Sequence, residues 1–345
     1  MTKTVTIRDV ARGAGVSVAT ASRALNGSEQ VTETTRTRVL RIMDELEFTP
    51  SLSARRLSLG RTMTITVVTW SLTRTQAVER LRGVEAVLSD SEFDLVIYNV
   101  ETLEKRDQYM RTLPLAPRTD GMLLISLPPK PEDVARLASG AVPVVLVDVH
   151  SPEFRSLPRV MGDDVAGGEL AVRHLLELGH RQIAYVGDEF ENPFGFTSSR
   201  DRFTGYERAL ASAGLGARPE WVALGAHGRN EARERACRLL SGPNPPTAIF
   251  AASDTQALGV IAAAREMGLD VPGDLSVVGY DDIEAAEYAG LTTVRQRLFE
   301  SGRLGARLLL KEIEQRSEDP ISTDLPPDLV IRATSAQLKE GLPRD

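Results

Sequence analysis

The chain has a single cysteine in 345 residues. Cys237 can therefore form no internal disulfide and has no thiol partner for a metal site; a half-buried helical position is its expected role. Histidine is scarce too, and His150, His174, His180 and His227 show no metal-ligand spacing. No run of eighteen apolar residues occurs, and the N-terminal MTKTVTIRDV lacks an apolar signal core. Neither a membrane span nor export is expected, which makes the cytoplasm the expected location. Also missing are a Gly-Lys-Ser/Thr phosphate loop, a Gly-x-Gly-x-x-Gly after a strand and a Gly-x-Ser-x-Gly elbow. These gaps argue against a hydrolase or an NAD enzyme, and no catalytic residue, cofactor or metal is expected.

Net negative charge is what a nucleic-acid binder should not have, and the chain carries −7. The charge is unevenly divided. Residues 1–60 hold nine Lys/Arg against six Asp/Glu, a balance of +3 that leaves −10 for the remainder. An acidic body behind a basic head keeps polyanions away from every surface but the head.

That head contains TIRDVARGAGVSVATASRALNG, residues 6–27. Thr6 can cap a helix in which Ile7, Val10, Ala11 and Ala14 recur at helical spacing. Gly15 supplies a left-handed turn, and Ser17 caps a second helix that buries Ala21, Ala24 and Leu25 before Asn26-Gly27 end it. The outer face then offers Val18, Ala19, Ser22 and Arg23. Small residues at the front of a helix after a tight turn let it approach base edges in a major groove, with Arg23 as the one long donor. Thr32 can cap a third helix with Val39, Ile42, Met43 and Leu46 as its buried stripe. Pro50 ends it, and the linker SLSARRLSLG (51–60) is too short to stay helical without a partner.

From residue 62 the pattern changes to β-branched runs (TITVVT, FDLVIYN, GMLLIS, PVVLVDV) alternating with amphipathic helices near 76–90, 104–113 and 131–138. The alternation begins again with a helix at 165–178, QIAYVG, a helix at 200–213, a strand at 247–252, a helix at 255–267 and LSVVGY. The expected fold is a small all-α helix-turn-helix head plus an α/β core of two Rossmann-like subdomains, with ligands at the carboxyl ends of parallel strands. LTTVRQ is expected to cross back to the first subdomain. The expected boundaries are a head at 1–49, a hinge at 50–61 and a core at 62–345. Within the core, subdomain one takes about 62–160 and 292–320, and subdomain two about 161–291 and 321–340. Candidate cleft residues stand at strand ends: Asp148, Ser253 and Asp281, with Arg202 at a helix start and Trp70, Phe190, Phe194 and Phe196 as aromatic walls. Asp254 and Asp282 read as helix caps, and Gly187-Asp188 as a turn.

The string IRDVARGAGVSVATASRALNG with VTETTRTRVLRIMDELEFTPSLSARRLSLGRT resembles the head and hinge of the lactose-repressor/galactose-repressor family of bacterial transcription regulators. LLELGHRQIAYVG, SSRDRFTGYERAL and PTAIFAASDTQALGVIAAAREMGLDVPGDLSVVGYDDIEAAEYAGLTTVRQ resemble the family's effector-binding core, which is similar to periplasmic sugar-binding proteins. The resemblance covers about residues 5–335. It implies contact with DNA by Thr6, Ser17, Val18, Ala19, Thr20, Ser22, Arg23 and Asn26. It also implies a hinge that folds when two copies meet over DNA, wedging Leu57 into the minor groove beside Ala54 and Arg55. Effector contacts carry over best to Asp148, Arg202, Asp281 and Gln296, less closely to His227 and Ser253, with Trp70 added as an aromatic face of the cleft. The implied partners are a palindromic double-stranded operator, a small effector of the carbohydrate class, and a second copy of the chain, as a homodimeric repressor. A purine- or nucleoside-responsive regulator using a corepressor is the alternative, and a solute-binding protein without a regulatory role the more distant one. The sequence departs from the family at TWSLTRTQAVERL, which lacks the frequent Asn-Pro-Phe-Phe run. Further departures are Ala289-Gly290 for Pro-Pro, Ser253 for Asn and Glu47 for Gly or Asn at a helix end, the last at a cost of about 1 kcal/mol if left-handed.

Overall fold

The computed structural model describes residues 5–25, 27–48, 61–115 and 118–339, and contacts divide the chain into a unit ending at Thr62 and one beginning at Met63. In the first unit α1 (Ile7–Ala14), α2 (Val18–Leu25) and α3 (Glu33–Glu45) follow the expected order. The Asp9 carboxylate accepts from the Thr6 backbone N–H at 3.0 Å and hydroxyl at 2.7 Å. Gly15 turns at φ +64°, which lets Val16 N–H reach Ala11 O at 3.0 Å and close the first helix. Ser17 Oγ accepts from Thr20 N–H at 3.0 Å. Val10, Ala11, Ala14, Ala21, Ala24, Val31 and Val39 form the core, with Ile42, Met43 and Phe48 packed against it.

One residue of the expected stripe lies elsewhere. Leu46 is 37% exposed, because Glu47 adopts φ +49° and ends α3 there. Phe48 folds back in its place, its N–H on Met43 O at 2.9 Å.

The second unit holds two six-stranded sheets. The first contains β1 (Thr64–Trp70), β2 (Asp94–Val100), β3 (Gly121–Ile125), β4 (Val144–Val147), β5 (Arg159–Gly162) and the late β11 (Ser322–Leu325) in the order β11-β5-β4-β3-β1-β2. The second contains β6 (Ile183–Asp188), β7 (Val222–Gly225), β8 (Ala248–Ala251), β9 (Ser276–Asp281), β10 (Thr292–Arg295) and β12 (Asp328–Val330) in the order β12-β10-β9-β8-β6-β7. Among the described strands only β12 runs antiparallel. Helices α4 (Thr75–Leu88), α5 (Leu103–Thr112) and α6 (Pro131–Ser139) serve the first lobe. Helices α7 (Asp164–Glu177), α8 (Ser198–Ser212), α9 (Arg229–Leu240), α10 (Asp254–Glu266) and α11 (Glu284–Tyr288) serve the second, and α12 (Leu298–Glu314) returns to the first.

Two expected boundaries move. LTTVRQ does not cross back: Thr292–Arg295 extends the second sheet in parallel register with Val278–Asp281. Buried threonines hold it there, with Thr293 Oγ1 donating to Asp254 Oδ1 at 2.5 Å and Thr292 N–H to Thr334 Oγ1 at 2.9 Å. The crossing follows at Arg297, φ +57°. Residues 322–325 belong to the first sheet rather than the second, paired with β5.

Helix crossings at glycine set the lobes' inner faces. A Cβ on Gly302 of α12 would stand 1.9 Å from Arg80 O, and one on Gly168 of α7 would stand 2.2 Å from Arg202 O. Only hydrogen side chains allow these backbones to touch. The contacts place Arg80 and Arg202 on opposite lobes.

Candidate functional site: the cleft and the helix-turn-helix face

Parallel strands of both lobes end at one cavity of about 140 Å³. Trp70, Asp148, Arg202, His227, Ser253, Asp281 and Gln296 all line it. Five non-glycine residues where strands end or have just ended have left-handed backbones: Ser71, Ser126, Asp148, Asp281 and Asp282, at φ +50°, +48°, +58°, +119° and +59°. Such conformations cost roughly 1 kcal/mol or more each, and their clustering marks a site where side-chain direction outweighs backbone comfort.

On the first lobe, Asp148 receives Arg80 Nη2 at 2.7 Å and the Ser126 hydroxyl at 2.8 Å. Burial works to raise its pKa, yet Arg80, His150 and Ser126 together hold the carboxyl well below the usual range. On the second lobe, Arg202 donates Nε to Asp164 at 2.8 Å and Nη1 to Ala252 O at 2.5 Å, and its guanidinium lies 3.8 Å over Tyr280. Asp281 joins the lobes. It accepts from Gln76 Nε2 of α4 at 2.5 Å and from Gln296 Nε2, with Arg202 Nη1 at 3.7 Å. Gln296 Oε1 in turn accepts from Arg80 Nη2 at 2.8 Å.

A further subsite forms around Asp188, which accepts from Gln256 Nε2 at 2.8 Å and pairs with His227 Nδ1 at 3.1 Å. Burial opposes its ionisation, and His227, Arg74 and Arg202 overcome it to lower the pKa. Asp188 is thus a cavity residue and not merely a turn. Ser253 caps α10 through Gln256 N–H at 3.3 Å and gives its hydroxyl to Gln256 Oε1 at 3.1 Å, so its oxygen is already engaged.

Three other expectations are corrected. Asp254 is the first residue of α10, not its cap; it accepts from Ile283 N–H at 2.9 Å and from Thr293. Burial, then the charge of Asp281, pushes its pKa far up. Asp282 caps nothing and pairs with Arg295 at 2.7 Å and Arg332 at 2.6 Å. Phe190 turns into the second lobe against Phe203, 5.0 Å away, whereas Phe196 and Phe194 lie 4.8 and 6.0 Å from Trp70.

The sequence reading missed Arg74, Gln76, Arg80, His150, Asp164 and Gln256. Arg80 had a signal: it shares a helix face with Ala77, Leu81 and Val84, where an arginine needs a buried partner.

In the head, Thr6, Ser17, Val18, Ala19 and Arg23 are exposed, and Thr20 and Ser22 half-exposed. Val18, 43% exposed at the first turn of α2, is an apolar side chain that the head's own core leaves outside. Asn26, Ala54, Arg55 and Leu57 lie outside the described residues.

A helix-turn-helix joined to two α/β lobes around a polar cleft defines a DNA-binding regulator controlled by a small effector. Residues 6–51 match the family described as bacterial regulatory proteins, lacI family, and residues 172–335 match the periplasmic binding protein-like domain. The HTH-type transcriptional repressor PurR of Vibrio campbellii (strain ATCC BAA-1116) is 33% identical over 337 residues, spanning 96% of this chain and 99% of that one. The chain belongs to the lacI family, and it is a DNA-binding transcriptional repressor that responds to an effector. Among solved structures, the Lac repressor dimer bound to operator and the anti-inducer ONPF has a TM-score of 0.84 at 29% identity, covering 97% of this chain and 100% of that one. The transcriptional regulator CelR–cellobiose complex has a TM-score of 0.70 at 30% identity, covering 96% and 99%.

Proposed function

We propose that the effector is a small carbohydrate bound in the interlobe cavity by Trp70, Asp148, Arg202, His227, Asp281 and Gln296, and that its binding releases a homodimer from a near-palindromic operator. The observation that carries this reading is the joint presence of three carboxylates, Asp148, Asp188 and Asp281, with Arg202 and Gln296 around one cavity. Carboxylates accept from hydroxyls while guanidinium and amide groups donate to them, which is the pattern vicinal hydroxyls satisfy. Arg74 stands 3.9 Å over Trp70 and covers a face on which a flat purine would stack. No bond of the effector is made or broken in this reading, and the protein acts in the cytoplasm on nucleoid DNA. Among the described residues no helix is long and apolar enough to cross a membrane. The second copy would sit at β2, an edge strand with Val96 and Ile97 each 38% exposed. Two heads related by a twofold axis call for inverted half-sites, together about 14–18 base pairs.

Calorimetry of the purified chain against neutral mono- and disaccharides, purine bases and nucleosides tests the effector class. Binding confined to sugars supports the reading, and binding confined to purines replaces it with a corepressor mechanism.

A further inference from the structure

Asp148, His150 and Asp164 offer polar atoms within 4.8 Å of one another. They come from both sides of the cleft: Asp148 and His150 follow β4 of the first lobe, and Asp164 opens α7 of the second. His150 Nε2 stands 3.6 Å from Asp148 Oδ1. Neither that nitrogen nor Asp164 Oδ2 has a hydrogen-bond partner among the described residues, although both are buried. We propose that His150 is a positioning residue for the effector cleft, its imidazolium bridging Asp148 of one lobe and Asp164 of the other, so that closing the lobes takes up a proton.

The charges around the ring favour a proton over a metal ion. Each carboxylate already carries an arginine, Arg80 on Asp148 at 2.7 Å and Arg202 on Asp164 at 2.8 Å, and a divalent cation would have to enter between two guanidinium groups. An imidazolium adds one charge to a line that alternates in sign, Arg80, Asp148, His150, Asp164, Arg202. Asp201, also on α8, adds to the field. Burial disfavours the imidazolium, but Asp148, Asp164 and Asp201 outweigh it and raise the pKa to about 9 from an ordinary 6.5.

Separating the lobes takes Asp164 and Asp201 away from His150 and returns its pKa toward the ordinary value. Asp148 stays beside His150 in either arrangement, so the stabilisation of the closed one is complete below the open-lobe pKa and is lost as pH rises through about 9. Between those limits the closure constant falls by up to about tenfold per pH unit, the limit for one proton. The inference rests on the cleft reading. Its test uses no effector, so its failure leaves the choice between sugar and purine untouched.

The test is a ring-proton NMR titration of the full chain labelled at histidine, with the His150 signal identified by its loss in His150→Gln. A wild-type midpoint near 9 that falls by more than one unit in Asp164→Asn is the expected result. Asp201→Asn, whose residue is not part of the buried pair, should lower it by a smaller amount and serves where Asp164→Asn fails to fold. Emission from Trp70 in a Trp221→Phe background reads the lobes, and should shift between pH 7 and 9.5 in the presence of His150 and stay constant in His150→Gln. A wild-type midpoint near 6.5, or one unmoved by the second-lobe substitutions in folded protein, overturns the proposal.

Discussion

The Arg202 guanidinium carbon lies 3.8 Å over the Tyr280 ring while its Nε holds Asp164 at 2.8 Å. The stack and the fork together fix the plane of the guanidinium, and a lysine could keep the charge but neither contact. Arg202→Lys should therefore leave operator binding close to wild type and raise the effector concentration needed for release at least tenfold. A hundredfold release of operator corresponds to about 2.7 kcal/mol of effector preference between lobe arrangements. An operator-binding titration with effector, run beside wild type, checks this; equal midpoints would place the effector elsewhere. Arg202→Leu is a poorer probe because it strands Asp164 as a buried charge, at about 3–5 kcal/mol.

Glu47 occupies φ +49° at the end of α3. Glycine takes that conformation freely, so Glu47→Gly should stabilise the head by about 1 kcal/mol. A rise in the head's melting transition with the core transition unchanged is the expected readout; no rise means the turn is not strained.

Gly302→Ala would drive a methyl group to within 1.9 Å of Arg80 O. The atom it meets is backbone, so α4 or α12 must move, at about 1–3 kcal/mol or more. Arg80 then shifts from Asp148 and effector affinity should fall along with stability. Gly216→Ala is the control, since nothing lies within 4 Å of its Cβ position. Denaturant melts of the two variants should differ in midpoint by the cost of the clash.

Arg23 is exposed beside Val18 and Ala19 on α2. Arg23→Ala should cost about 1–3 kcal/mol of operator affinity and relax preference at one base pair per half-site. Selection of binding sites by wild type and variant measures it, and a uniform loss across all sequences would make Arg23 a phosphate contact instead.

The head was legible because its signals are local. Thr6 and Ser17 each meet a partner three residues on, Gly15 lets Val16 reach back to Ala11, and the strand–helix alternation of the core repeats the same short-range logic. The cavity was legible in part, since strand ends name Asp148 and Asp281 without any knowledge of the sheet order. Asp188 ends β6 in the same way, but Gly-Asp is also common turn chemistry and the residue was read as such. Gln76 and Arg80 were out of reach for another reason: their partners Asp281 and Gln296 lie more than two hundred residues away, and no periodicity encodes a contact of that range. The return crossing was misplaced because Thr292 and Thr293 look like any β-branched pair, and only their hydroxyl partners assign them to the second sheet.

The sheet order also governs how the chain can be made. The first lobe's outer strand, β11, lies at residues 322–325 and the helix that covers its inner face, α12, at 298–314. A ribosome has therefore released every strand of the second sheet but β12 before the first lobe can close. Until then α4 presents Leu81 and Val84, both buried in the finished fold, to solvent and to other nascent chains. The first lobe must wait for these late elements, so synthesis exposes an apolar helix face for the time needed to translate more than two hundred residues, tens of seconds at about 5–20 residues per second.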